Sequence, residues 1–249
     1  MRVLLTNDDG IHAVGLRAIY NALLAAGHSV QVVAPMSEQS AVGHSVTLIS
    51  PLRAKLVQEE FFSGYGVFGT PTDCVKLAVS ELMTDVPEIV VSGINAGANV
   101  GPDILYSGTV AAATEGAHLG FPALAVSHDS FQPSNMDAHA AYAVSVMERI
   151  PWADLPARRV MNLNLPHRPV EAFKGLSLCR QTSAIWLDWY DRRTDPRGRT
   201  YWWLQGDIPP DKVEPGTDKG LLIDGWATLT PLKFEFTDAV TLEKLREVL

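Results

Sequence analysis

Arg2-Val3-Leu4-Leu5-Thr6-Asn7-Asp8-Asp9-Gly10 sets a short apolar run directly before an asparagine, two adjacent acids and a glycine. Consecutive aliphatic residues with no polar alternation suit a strand buried on both faces, the habit of parallel sheets. Outward from it, Leu16, Ile19, Tyr20, Leu23 and Leu24 recur at the spacing of one helix face, Gly27 stops that helix, and Val30 to Ala34 is a second apolar run. Strand, helix and strand within one sheet predict a right-handed parallel crossover. Val75, Ala78, Val79 and Leu82 then mark a helix over 71–82, Ile89 to Val91 a strand, Val110 to Leu119 a helix of small residues and Ala123 to Val126 a strand. Ala140, Ala143, Val144 and Met147 mark a further helix, and Val160 to Leu165 a further strand. The expectation is an α/β fold: a doubly wound, mostly parallel sheet in a Rossmann-like three-layer arrangement.

The regular alternation stops after about Pro166, which divides the chain into a core over 1–166 and a C-terminal extension over 167–249. Within the extension, Ala184 to Asp191 and Arg199 to Leu204 are rich in Trp and Tyr and flank Asp195-Pro196-Arg197-Gly198, whose Pro and Gly suit a type I turn. A protruding β-hairpin over about 185–204 is expected. Gly206 to Lys219 reads as a loop, Trp226 to Leu232 as a returning strand and Val240 to Leu249 as a terminal helix packing on the core.

A chain of 249 residues with 47% hydrophobic and 19% charged content is long enough for a full core. Its formal charge of -8 argues against long nucleic acid as a partner, because neutralising many phosphates needs a basic face. Small phosphorylated molecules bound at one local site remain compatible. Cys74 and Cys179 are far apart and carry no ligand pattern, so neither a disulfide framework nor a zinc site is expected. With no leader-like or membrane-spanning stretch, a cytoplasmic protein is the expectation.

Open parallel sheets bind ligands beyond the carboxyl ends of their strands, so the polar residues following each strand are the candidates. After the first strand, Asp8 and Asp9 repel unless a cation or solvent offsets them. The plain alternative is a solvated Asp-Gly turn. Two hard oxygen ligands suit Mg2+ or Mn2+ better than zinc. The second strand leads into a loop with Ser37, Ser40, His44 and Ser45, whose hydroxyls suit a metal or a phosphate as well as ordinary turns. Ser92-Gly93-Ile94-Asn95-Ala96-Gly97-Ala98-Asn99-Val100-Gly101 reads as a glycine loop whose amides can approach an anion, with Asn95 and Asn99 adding oxygens and amide donors. Tyr106-Ser107-Gly108-Thr109 precedes a helix, where hydroxyls and free amides converge on a phosphate-binding point; Ser107 equally suits a simple N-cap. Thr70-Pro71-Thr72-Asp73, with a cap, a proline and an acid in order, is assigned to structure.

Taken together these segments resemble the SurE family. The resemblance rests on 2–10, Ser40-Ala41-Val42-Gly43-His44-Ser45, Gly69 to Leu77, Ser92 to Gly101, Asp103 to Val110 with Glu115-Gly116, and Thr228-Leu229-Thr230-Pro231-Leu232, and it covers nearly the whole chain. It implies one divalent cation, Mg2+ or Mn2+, held by Asp8, Asp9, Ser40 and Asn95. It also implies hydrolysis of nucleoside 5′- and 3′-monophosphates, with short polyphosphate as a further substrate, and subunit exchange through the tryptophan-rich hairpin, giving a homodimer or tetramer. Gln39 departs from the basic or asparagine residue often found before the loop serine.

The expected mechanism is metal-assisted attack of water on phosphorus, with Asp9 orienting or deprotonating the water. Asn7, Gly43, His44, Asn99, Ser107, Gly108 and Thr109 are the candidates for holding the phosphate and substrate. An aspartyl-phosphate on Asp8 ranks second, since Asp8-Asp9 lacks the intervening residue of an Asp-x-Asp signature. The rival from another class is a nucleotide-binding or sensing module without turnover. The chain has neither a Gly-x-Gly-x-x-Gly after its first strand nor a P-loop lysine, which disfavours dinucleotide or triphosphate binding.

Overall fold

The structure is a computed structural model and describes residues 1–133 and 135–249. In chain order the strands are β1 (Arg2–Thr6), β2 (Ser29–Pro35), β3 (Ala54–Glu59), β4 (Phe62–Val67), β5 (Ile89–Ala96), β6 (Ala123–His128), β7 (Arg159–Leu165), β8 (Leu176–Leu178), β9 (Leu187–Thr194), β10 (Thr200–Asp207) and β11 (Ala227–Lys233). The α-helices are α1 (Val14–Ala25), α2 (Pro71–Leu77), α3 (Gly108–His118), α4 (Asp137–Arg149), α5 (Asp218–Asp224) and α6 (Ala239–Arg246).

Nine strands form one sheet in the order β3-β4-β2-β1-β5-β6-β7-β11-β8. The run from β4 to β7 is parallel throughout, β3 is antiparallel to β4, and β11 is antiparallel to β7. This is the doubly wound α/β sheet the apolar runs predict. The pleat of β1 shows why its sequence lacks polar alternation. Val3 and Leu5 pack with Leu16, Ile19 and Leu23 of α1 and with Ala140 and Met147 of α4, while Leu4 faces the other way onto Val75 of α2 and Ala112 of α3. Helices therefore cover both faces, α1 with α4 on one and α2 with α3 on the other.

Three features differ from the sequence expectations or go beyond them. The glycine stretch read as a loop from Ser92 is strand as far as Ala96, with a register shift against β6 between Ser92 and Asn95. Its Gly93 has φ +138°, and a Cβ there would lie 2.3 Å from the Val126 carbonyl oxygen, so the bulge needs a glycine. The β3–β4 hairpin extends one edge of the sheet and has no counterpart in the sequence reading. The expected loop over 206–219 contains a 3-10 turn at Pro210–Lys212 and runs into α5.

After Pro166 the chain returns β8 and β11 to the main sheet, whereas β9 and β10 pair only with each other. The turn between them forms at Asp195–Gly198, where the Gly198 amide donates to the Asp195 carbonyl and Gly198 takes φ +79°. Among the described residues no helix is long and apolar enough to cross a membrane.

Candidate functional site

Sheet order reverses between β1 and β5: β2 and β4 lie on one side, β6 and β7 on the other. A crevice opens over the carboxyl ends at such a switch point. Asp8 and Asp9 follow β1, and Asn95 lies near the end of β5. The loop after β2 folds over the same edge. Its Gln39 amide donates to the Asp8 carbonyl at 2.8 Å, and the Ile11 amide donates to Pro35 at 2.8 Å. Gly10 allows this approach: it has φ +99°, and a Cβ would sit 3.2 Å from the Ser37 carbonyl carbon.

Asp8 is the most enclosed of the four metal-ligand candidates, 6% exposed. Thr109 Oγ1 donates to Asp8 Oδ1, and a Cβ on Gly108 would come within 2.7 Å of the Asp8 Cβ. A glycine at the start of α3 is thus what lets the helix N-terminus close on the carboxylate. Burial pushes the Asp8 carboxyl up to about 6, with the neighbouring Asp9 charge adding to the rise and the Thr109 bonds opposing it. Asp9 Oδ2 accepts from the Ala96 amide at 3.0 Å, tying β1 to the end of β5. Burial raises Asp9 as well, and the nearby Glu38 charge adds to it against the Ala96 bond.

Ser40 lies one residue beyond the Gln39 contact, and its hydroxyl donates to Glu38. Asn95 Nδ2 donates to the Gly97 carbonyl at 2.8 Å, which fixes the amide and turns Oδ1, the remaining acceptor, to other partners. Ser107 is the N-cap of α3: its hydroxyl accepts from the Val110 amide at 3.1 Å. That bond uses the oxygen and leaves the hydroxyl proton free to donate. Gly43 donates to the Tyr106 carbonyl at 3.0 Å, docking the loop after β2 beside Ser107.

Asn7 and Asn99 are also buried. Asn7 Nδ2 donates to Gly10 at 3.0 Å and so braces the turn after β1. Asn99 is held by a buried network: its amide donates to Asn164, its Nδ2 to Ser127, and its carbonyl accepts from Asn162 and Asn164. These bonds fasten the loop after β5 to β6 and β7. Thr70 and Asp73 form the expected capping box, and Asp73 also accepts from the amide and hydroxyl of Thr47, so the same acid anchors the far end of the loop after β2.

Two residues that the sequence reading left without a role stand beside the site. Glu115, 8% exposed on α3, accepts from His44 Nε2 at 2.8 Å and from Lys76 Nζ at 3.0 Å. A carboxylate only accepts, so Nε2 carries the proton of that bond. These two donors hold Glu115 down to about 2, the His44 bond contributing most. Glu38 is the other, through Ser40 and Asp9. Neither pairing of Glu115 has a local signal, since partners 71 and 39 residues apart in sequence meet only through the fold.

The donor set suits a hard divalent cation. Among the described residues no three His, Cys, Asp or Glu side chains cluster as metal ligands; at this corner two carboxylates stand near neutral oxygens, donors of the hard kind that suits such a cation. Buried polar atoms at the same edge point the same way. Asn7 Oδ1, Thr6 Oγ1 and Ser92 Oγ have no hydrogen-bond partner among the described residues, as expected near an ion or ordered water.

Fold and site together define a doubly wound α/β protein with paired acids at its topological switch point, one of them closed against a helix N-terminus. The chain belongs to the SurE family: residues 3–188 match the family described as Survival protein SurE. A 5'-nucleotidase SurE from Nitratidesulfovibrio vulgaris strain DP4 is 62% identical over 245 residues, 98% of each chain. Another 5'-nucleotidase SurE, from Oleidesulfovibrio alaskensis, is 63% identical and covers 99% of this chain and 95% of its own. The crystal structure of the SurE protein from Aquifex aeolicus superposes with a TM-score of 0.85 at 32% identity, covering 100% of this chain and 99% of its own.

Proposed function

We propose that this chain is a phosphomonoesterase that hydrolyses nucleoside 5′- and 3′-monophosphates to nucleoside and phosphate, with short polyphosphate as a further substrate. One divalent cation, Mg2+ or Mn2+, would be held by Asp8, Asp9, Ser40 and Asn95. The carrying observation is the buried Asp8 closed against Gly108 and Thr109 with Asp9 beside it. The relatives named 5'-nucleotidase SurE support the choice of substrate.

Held by Asp8, Asp9, Ser40 and Asn95, the cation would supply positive charge for the phosphate oxygens and make water a stronger nucleophile. The chain's own residues do the rest. Asp9, raised by burial and fixed through one oxygen by Ala96, orients the attacking water and takes its proton. The Ser107 hydroxyl and the Gly108 amide, at the first turn of α3, donate to the phosphate oxygens as charge builds on them. Gly43 shapes the opposite wall, and His44 offers Nδ1 because Nε2 is committed to Glu115. Thr109, Asn7 and Asn99 position: the first holds Asp8, the others hold the turns on which the ligands stand.

A nucleotide-binding module without turnover would have no use for two adjacent acids at the phosphate corner, neither bonded to a Lys or Arg among the described residues. A homodimer or tetramer through the hairpin is part of the same reading, supported by Trp189, Tyr190, Trp202 and Trp203, each more than half exposed. A cytoplasmic setting accords with the two free thiols, Cys74 and Cys179. Phosphate release from AMP and 3′-AMP with added manganese tests the proposal; no release from either, by folded protein, would refute it.

A further inference from the structure

Beside the phosphate corner lies a cleft of about 350 Å³, within the range of small-molecule sites. It runs along one face of α3, past Ser107, Val110 and His118, and Leu105 and Phe236 form walls, with His44 at one end. A second cleft of about 310 Å³ adjoins it and shares Leu105 and Phe236. Phe236 is 81% and Leu105 59% exposed, so both present apolar surface that the chain itself leaves uncovered. The His44 and His118 rings meet edge to face with centroids 6.4 Å apart.

We infer that this cleft holds the nucleoside of the substrate, with the base against Phe236 and Leu105. The inference rests on the phosphatase reading above and adds the place of the organic group. Continuity carries it: Ser107 lines the cleft, and the next residue, Gly108, packs on Asp8. A phosphate at Ser107 and Gly108 therefore has this cleft beside it, with room for whatever its ester oxygen carries. The chemistry of the walls selects the occupant. None of the described residues lining this cleft is Lys, Arg, Asp or Glu, and Lys233 lines only the adjoining one, so a second phosphate gains little here, whereas a flat uncharged ring gains stacking and burial. Few polar atoms face the cleft, so ring area, rather than the pattern of base donors and acceptors, sets the preference. Purine monophosphates should be favoured over pyrimidine ones, and both over ribose 5-phosphate.

The experiment compares kcat/KM for AMP and for ribose 5-phosphate, with manganese, in the full-length chain and in Phe236→Ala, Leu105→Ala and Phe236→Trp. The exposure of Phe236 makes its substitution compatible with folding. The AMP to ribose 5-phosphate ratio is expected to fall about five-fold or more in each alanine variant, through KM, and to be restored by Phe236→Trp. Calorimetric titration with adenosine, which carries no phosphate and does not engage the metal, reads the cleft separately. Adenosine binding that Phe236→Ala weakens supports the assignment even where neither ester turns over, an outcome that would sink only the phosphatase reading. An unchanged ratio in both alanine variants overturns the inference. So does a change of oligomeric state in Phe236→Ala with the ratio intact, which would give the cleft to a second copy of the chain.

Discussion

Replacing Glu115 by glutamine probes the support beneath His44. In the folded chain the carboxylate accepts from both His44 and Lys76. An amide has one acceptor oxygen and one donor group, so one of those two donors then faces another donor. The carboxyl falls from 4.5 to about 2 on folding, which corresponds to roughly 3 kcal/mol at about 1.36 kcal/mol per unit. The side chain of Lys76 is 52% and that of His44 36% exposed, and solvent screening lowers the expected loss to about 1.5–3 kcal/mol. The direction with pH follows from linkage. The unfolded chain takes up the proton near 4.5 and the folded chain only near 2, so the stabilisation is complete above about pH 5 and is lost as pH falls toward 2. Urea unfolding followed by circular dichroism should therefore show wild type more stable than Glu115→Gln at pH 7, with the gap shrinking to less than half at pH 3. A gap of the same size at both values, or none at pH 7, would refute the reasoning.

Other outcomes follow from the same geometry. Thr109→Val keeps the shape of the buried side chain but removes the hydroxyl bonded to Asp8, so activity should drop about ten-fold or more while circular dichroism stays native; full activity would show that this bond does not position the acid. Ser40→Ala should cost less than Asp9→Asn in steady-state hydrolysis, because water can replace a neutral hydroxyl ligand. Deleting 185–204 should lower the molar mass measured by light scattering, since an isolated two-stranded hairpin with this many exposed aromatics is marginal in water; an unchanged mass would place the interface elsewhere. Bis-p-nitrophenyl phosphate and a dinucleotide should turn over more slowly than AMP and 3′-AMP, because the site offers no basic track for a continuing backbone, and faster diester turnover would put the reaction class in error.

The parallel core was legible because its signals are local. Aliphatic runs such as Val3–Leu5 and the helix face Leu16, Ile19, Leu23 report burial on both sides of a sheet, and that pattern needs no partner to be seen. The placement of Asp8 and Asp9 at the switch point was legible for a related reason: they follow directly on the apolar run of β1, and the strand order puts that end at the crevice. Ser92 to Ala96 misled because glycines signal turns, whereas here Gly93 serves a bulge against Val126 and β6 supplies the ladder. The β3–β4 edge hairpin is weak in sequence: Ala54 to Glu59 is largely exposed, so few of its side chains carry a burial pattern. Glu115 remained without a role because its partners on α2 and in the loop after β2 are brought together only by tertiary packing. Asn99 resembled a ligand-loop donor, and its buried bonds to Asn162, Asn164 and Ser127 could not be anticipated from spacing.

The central claim is that Asp8 and Asp9 hold the divalent ion on which phosphate release depends. Phosphate released from AMP should be measured for wild type, Asp8→Asn and Asp9→Asn, each after chelation and again after addition of manganese, with circular dichroism as the check on folding. Wild type should lose activity on chelation and regain it with metal, while both variants stay folded and inactive at any metal concentration. Full activity of either folded variant with saturating manganese, or wild-type activity indifferent to chelation, would contradict the account.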